Sequence, residues 1–286
     1  MSFFSKNDEN KTLLIYDGGG IGDKFMLGRL VFLLIDRYVN EKNKNKITFI
    51  VQDGILWFMK ELLKEFAHFI RFVSDKQLYF VGDFDYHCNL MSLIKYLKID
   101  YDTLPETFIN FCYKFNTISV NDNCKKIMDS IKPNTYIINW KGNPNNPHEK
   151  HNRMMNLINA LPLFKIQSSN IHWLVISKDL TQQEHKILKK HKITHIGNRI
   201  DKQQAFYDTI SIVQHKNIAG VISTDTSLPH LSLSLGVKTY VLLTTGCEWR
   251  WTKDEKTNWY PDAILLRQKT HGDWTDPVQK LANLIK

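Results

Sequence analysis

The sequence predicts an α/β protein made of two Rossmann-like domains, whose mainly parallel sheets face each other across a cleft. Three observations carry this. Short continuous apolar runs alternate with segments of helical spacing, the pattern of strand–helix units that form buried parallel sheets. The alternation breaks in an irregular stretch punctuated by Pro105 and Pro133 and then restarts. The length, 286 residues, suits two domains of about 150 residues each. The boundary is therefore expected near residue 130, giving an N-terminal domain of residues 1–130 and a C-terminal domain of 131–286. The terminal helix is expected to pack back on the first domain.

In order, residues 12–16 read as a buried strand, followed by a glycine turn over 17–23 and a helix over 25–38. Residues 47–51 and 56–69 read as the next strand and helix, and 70–73 and 79–81 as short strands. Residues 97–132 mix aromatics, Asn and Asp with no clean period. In the second half, strands are expected at 136–140, 172–176, 194–196, 218–223, 237–243 and 263–267. Helices are expected at 154–161, 181–191, 203–214, 227–235 and 277–285. Sheets of this kind bind ligands beyond the carboxyl ends of their strands.

Composition narrows the class. Hydrophobic residues are 43% and aromatics 12% of the chain, which is globular rather than disordered. No apolar run approaches the roughly 18 residues that span a bilayer. Residues 1–11 are polar, so no secretory signal and a cytoplasmic location are expected. Cys88, Cys112, Cys124 and Cys247 lack paired spacing and read as reduced, mostly buried thiols. The net charge of +9 suits anionic partners, but the lysines are dispersed among asparagines, as a solvated surface also would be. No specific nucleic-acid partner is expected.

Gly18, Gly19, Gly20 and Gly22 lie between a strand and a helix. The dinucleotide fingerprint fails, because its third glycine falls on Asp23 or Phe25, and no lysine–hydroxyl pair follows to make a P-loop. The turn places Asp23 at a helix start, where the dipole favours a carboxylate. A plain helix cap and a functional acid both fit. In the second half, Ser223-Thr224-Asp225-Thr226-Ser227-Leu228-Pro229-His230 runs from a strand into a helix. Backbone N–H groups at such a start bind phosphate, and Thr226, Ser227 and His230 add side-chain donors. An ordinary capped helix with a packed histidine also fits. Trp249 and Trp251 can stack on a ligand or pack internally. Asp83-Phe84-Asp85 has the spacing of a metal-binding acidic triplet, but a lone triplet is common and lies in the other half from the phosphate signal, so no metal is expected.

Taken together, Gly20-Ile21-Gly22-Asp23 with Arg29, Asn139-Trp140-Lys141-Gly142-Asn143 with Arg153, and Asp225-Thr226 with His230 and Gly236 resemble the heptosyltransferase-like GT-B glycosyltransferases. These are the relatives of the ADP-heptose:LPS heptosyltransferases. Glu248-Trp249-Arg250-Trp251, Asn258-Trp259-Tyr260-Pro261, Leu266-Arg267-Gln268 and Gly272-Asp273-Trp274 are similar to the subgroup often fused to tetratricopeptide repeats. So is Asp85-Tyr86-His87, although Asn89 and Ile94 stand where that subgroup has prolines. The resemblance covers most of residues 12–285 and is most specific from Tyr136 onward. It implies an enzyme of glycan biosynthesis that transfers a sugar from a nucleoside-diphosphate sugar to an acceptor hydroxyl. The reaction would be inverting and would need no metal or cofactor. It implies Asp23 as general base, Lys141, Arg153, Thr226, Ser227 and His230 on the donor diphosphate, and Asp225 and Asn143 orienting the sugar or the site. Gly22 and His87 fall on the acceptor side. Partners would be the donor and a glycan, glycolipid or glycoprotein acceptor, with at most peripheral membrane contact. A non-catalytic carbohydrate- or protein-binding module on the same fold is the alternative.

Overall fold

The computed structural model describes residues 3–5, 7–108, 111–115, 118–143, 153–166 and 170–286. The chain divides into two compact units. One holds Met1–Thr117 with Gln203–Phe206, and the other Ile118–Lys202 with Tyr207–Lys286.

The first unit is a four-stranded sheet of β1 (Thr12–Tyr16), β2 (Lys46–Val51), β3 (Ile70–Ser74) and β4 (Tyr86–Asn89), in the order β3-β2-β1-β4. Every ladder is parallel. Central β1 is covered on both faces, so Leu13, Leu14 and Ile15 are all buried and the strand reads as an unbroken apolar run. Its helices are α1 (Ile21–Tyr38), α2 (Leu56–Leu62), α3 (Leu93–Tyr96) and α4 (Leu104–Thr107). Phe25, Met26, Leu27, Leu30, Val31 and Leu34 of α1 are fully buried. Gly28 on the same helix admits Tyr113, whose hydroxyl donates to the Phe25 carbonyl at 2.7 Å. A Cβ at Gly28 would sit 2.9 Å from that hydroxyl. This close approach anchors part of the stretch that had no readable period.

The second unit begins with α5 (Asp122–Asp129), capped by Asn121 accepting from the Cys124 N–H. There follow β5 (Thr135–Asn139), α6 (Leu157–Phe164), β6 (His172–Val175), α7 (Gln182–Lys190), β7 (Thr194–His195) and α8 (Tyr207–Val213). Then come β8 (Ile218–Thr224), α9 (Ser227–Ser234), β9 (Thr239–Leu243), β10 (Ile264–Arg267) and α10 (Thr275–Ile285). The sheet order is β10-β9-β8-β5-β6-β7, all parallel. Counted from its own first strand, this is the doubly wound order whose direction reverses between first and fourth strands, here β5 and β8. Val278, Leu281, Ala282 and Ile285 of α10 complete the core of this same unit, with Tyr136, Trp140 and Tyr240.

Several elements differ from the sequence reading. The expected strand at 79–81 is part of a 3-10 turn, Leu78–Phe80, and the fourth strand is Tyr86–Asn89. The expected helix at 203–214 starts only at Tyr207, because Phe206 has φ 64°, a left-handed conformation that no right-handed helix continues. The second unit starts at Ile118, ahead of α5, since Asn121 Nδ2 donates to Asp208 of α8 at 2.8 Å. No helix among the described residues is long and apolar enough to cross a membrane. Cys88 and Cys124 are buried and Cys112 and Cys247 half-buried; burial pushes the Cys88 and Cys124 thiols up to about 12.

Candidate functional site

The switch point between β5 and β8 is built as a polar floor. Asn139 ends β5 opposite Ser223 of β8. Its Nδ2 donates to Ser223 Oγ at 3.2 Å and Thr226 Oγ1 at 3.4 Å, and its Oδ1 accepts from Ser177 Oγ at 2.8 Å. Three strand ends and the cap of α9 are thus joined by one buried network, which fixes where α9 starts. Asn139 and Ser223 stood in the sequence motifs with no role of their own, and Ser177 was not singled out. The available signal was a polar residue closing each of three apolar runs.

From this floor the chain enters α9. Thr226 is the N-cap, and its Oγ1 accepts from the Leu228 N–H at 3.3 Å. Pro229, in the first turn, has no N–H and fits there for that reason. Two first-turn donors are thereby withdrawn, so the anion-binding capacity of this helix start depends more on side chains than the sequence implied. Ser227 is half-buried in the same turn.

Those side chains converge. Asp225 is 5% exposed, with Arg153 Nη1 at 3.7 Å from Oδ2 and His230 Nε2 at 4.0 Å from Oδ1. Arg153 Nη1 also lies 3.8 Å from Glu248 Oε1, and Arg250 Nη1 3.5 Å from Glu248 Oε2. Charges therefore alternate along Asp225, Arg153, Glu248 and Arg250. Burial raises the Asp225 carboxyl above the ordinary range, and the Arg153 guanidinium opposes that rise. Asp225 Oδ2 and Thr224 Oγ1 are buried with no hydrogen-bond partner among the described residues. A buried polar atom left unpaired costs about 1–3 kcal/mol, so these two atoms hold unmet hydrogen-bonding capacity. Glu248, Arg250 and Tyr260 enter this cluster from a loop remote in sequence and were given no role in the sequence reading.

Lys141 makes its contacts elsewhere. Its Nζ donates to the Asp179 carbonyl at 2.8 Å and to Glu184 Oε2 at 3.0 Å, beside a cavity of about 500 Å³ lined also by Met154, Leu157 and Ile187. Glu184 further accepts from Trp140 Nε1 at 2.9 Å and the Thr181 N–H at 2.7 Å. Burial pushes the Glu184 carboxyl up, but the Thr181 N–H, Lys141 and Trp140 together hold it below its ordinary range. Asn143 is exposed two residues beyond Lys141. The structure thus brings Asp225, Thr226, Arg153 and His230 together, and engages Lys141 with Glu184.

In the first unit, Asp23 Oδ2 accepts from the Gly20 N–H at 2.8 Å, and the Asp23 N–H donates to the Gly20 carbonyl at 3.1 Å. Gly22 lies in the same first turn of α1. Beneath the loop, Lys24 is 1% exposed, with Nζ 2.8 Å from Asp17 Oδ2 and 2.6 Å from the Gly19 carbonyl. Sequence reasoning missed this pair; an Asp-Gly-Gly-Gly turn followed by a lysine in the helix was its only trace. His87 is exposed on edge strand β4, its ring 6.0 Å from Tyr16 and 5.9 Å from Phe84. Asp85 is occupied: it accepts from the Thr12 N–H at 2.8 Å, Thr12 Oγ1 at 2.9 Å and Lys11 Nζ at 3.0 Å. The Thr12 N–H, with Lys11 and the Thr12 hydroxyl, draws its carboxyl down to about 2.

No protein-family model and no curated protein matches the sequence. Solved structures do resemble it. A glycosyl transferase family 9 protein from Veillonella parvula aligns with a TM-score of 0.57 at 8% identity, over 91% of this chain and 86% of that one. TibC, a dodecameric iron-containing heptosyltransferase solved with ADP-D-β-D-heptose, aligns with a TM-score of 0.57 at 11% identity, over 96% of this chain and 67% of that one. A second structure of TibC, from enterotoxigenic E. coli, gives 0.55 at 10% identity, over the same 96% and 67%. At such identities the likeness is one of fold: two α/β units with parallel sheets, as in GT-B glycosyltransferases.

Proposed function

We propose that this chain is a glycosyltransferase of heptosyltransferase-like type, moving a sugar from a nucleoside-diphosphate sugar to an acceptor hydroxyl without a metal and with inversion. The observation that carries the reading is the convergence of Arg153, His230, Thr226 and a buried, under-bonded Asp225 at the β5–β8 switch point. In doubly wound sheets that point is where ligands bind. The ADP-heptose held by TibC supports a nucleotide sugar as the donor class.

In this reading Arg153, Thr226, Ser227 and His230 hold the diphosphate, and Lys141 joins them only on leaving Glu184. A departing nucleoside diphosphate gains negative charge, and fixed cations and donors stabilise it more in the transition state than in the ground state. Asp225 and Asn143 orient the sugar. Asp23 takes the proton of the acceptor hydroxyl, with Gly22 and His87 on the acceptor side. The acceptor is a glycan, glycolipid or glycoprotein, and the work is cytoplasmic.

Thermal-shift titration with ADP, UDP and GDP and their sugars tests the donor half, since a ligand of the folded state raises its melting point. One nucleotide series should stabilise the chain, and Arg153→Ala and His230→Ala should lose that gain. No stabilisation by any of them refutes the reading. One observation favours a second reading, a silent binding module: the Asp23 carboxylate is spent on the Gly20 N–H as a helix cap. Nucleotide binding without sugar transfer to any acceptor would select it.

A further inference from the structure

Among the described residues, Trp251, Tyr260 and Asp225 all meet the buried ring of His230. Its face stacks on Trp251, with centroids 4.8 Å apart and planes 25° from parallel. Its Nδ1 lies 3.2 Å from the Tyr260 hydroxyl, and its Nε2 faces the Asp225 carboxylate at 4.0 Å. Trp251 and Tyr260 stack on each other at 5.9 Å and 29°. The loop carrying them is closed on itself: the Tyr260 N–H donates to the Thr257 carbonyl at 3.2 Å, and the Thr257 hydroxyl to the Arg250 carbonyl at 2.6 Å.

A neutral imidazole has one N–H and one bare nitrogen, and its neighbours decide which is which. A hydroxyl can either donate or accept, whereas a carboxylate only accepts. The Asp225 side therefore calls for hydrogen on Nε2. That leaves Nδ1 bare, to accept from the Tyr260 O–H.

We propose that Tyr260 is a positioning residue that fixes His230 in its Nε2–H tautomer, so that a donor and not a lone pair faces the start of α9. The identity of the anion that receives this hydrogen bond rests on the nucleotide-sugar reading. The tautomer itself is a property of the unliganded chain.

Histidine-selective nitrogen-15 spectra of the whole chain, without nucleotide, test it directly, with His230 assigned by comparison with His230→Asn. The expected wild-type signature is protonated Nε2 and bare Nδ1. Tyr260→Phe, checked for folding by its amide spectrum, should spread His230 over both tautomers, while Trp251→Phe, which keeps the hydroxyl, should not. In sugar transfer, Tyr260→Phe should lower kcat by about tenfold, the worth of one weakened hydrogen bond to a charged group, and leave the donor KM within about twofold. A wild-type signature with hydrogen on Nδ1 overturns the proposal, as does a Tyr260→Phe spectrum with the tautomer unchanged. If Tyr260→Phe fails to fold, the wild-type signature decides alone. Failure of every nucleotide to bind would refute the transferase reading while leaving the tautomer result standing.

Discussion

Removing the Lys24 ammonium should unfold the first unit's glycine turn at a predictable cost. Lys24 is 1% exposed and meets Asp17 Oδ2 at 2.8 Å and the Gly19 carbonyl at 2.6 Å. Lys24→Met preserves the length of the side chain and deletes both contacts. Asp17, 5% exposed at its side chain, then keeps, among the described residues, the Gly19 N–H, which donates to Oδ1 at 2.9 Å. Breaking a buried ion pair from one side costs roughly 3–5 kcal/mol, chiefly because the surviving charge is stranded. The remaining N–H places the expectation at the lower end, about 3 kcal/mol. Native-state hydrogen exchange of the β1 amides reads the stability of this unit by itself. Their protection should fall by about two decades, since each tenfold is about 1.4 kcal/mol. Asp17→Asn in the Lys24→Met background removes the stranded charge and should recover at least half of the loss. A cost below about 1 kcal/mol, or a double variant no better than the sum of its parts, would refute the claim that this pair organises the turn.

Other consequences follow from single contacts. Glu184→Gln should cost about 1–2 kcal/mol at neutral pH by weakening its charged hydrogen bonds to Lys141, Trp140 and Thr181. Because the folded carboxyl is held below its ordinary 4.5, that stability is present above pH 4.5 and is lost as pH falls through the lower folded value, so acid denaturation of the variant should be shallower there. Gly197→Ala would set a Cβ 2.2 Å from the Ser177 carbonyl, a backbone clash worth about 1–3 kcal/mol and visible as a lower Tm. Asp85 should titrate at about 2 by carboxylate NMR. Its contribution, complete above the ordinary value of 3.8, disappears as pH falls toward 2, and Asp85→Asn should speed exchange of the Thr12 amide at neutral pH.

What could be read from the sequence depended on how each element is buried. β5 and β9 are buried at every position, so they appear as plain apolar runs. β4 is an edge strand with His87 exposed and only Cys88 buried, and it leaves no run to detect. The start of α8 depends on the left-handed Phe206, a conformation uncommon outside glycine that the residue type does not announce. At the site, Asp225, Thr226 and His230 were legible because one strand–helix turn carries all three. Glu248, Arg250 and Tyr260 were not, since only the fold returns their loop to α9. Lys141 was assigned to the diphosphate by resemblance, while the structure shows that Glu184, far along the chain, already holds it.

The two sheets share a frame, β3-β2-β1-β4 and β7-β6-β5-β8, with a helix start near each reversal of strand order, so loop chemistry must divide their tasks. At α1, the first-turn acid Asp23 bonds back to the Gly20 N–H. This brings a negative charge to the helix start and consumes a donor there, and on both counts an incoming phosphate is disfavoured. The glycine turn is therefore not an anion cradle, for all its glycines. At α9 the cap is Thr226, a neutral hydroxyl that spends one N–H and adds no charge, while Arg153 and His230 stand beside it. The buried Asp225 would repel an anion if left alone, but the Arg153 guanidinium at 3.7 Å offsets its charge. Of the two helix starts, the one with fewer glycines is the one where the proposed diphosphate would meet no first-turn carboxylate.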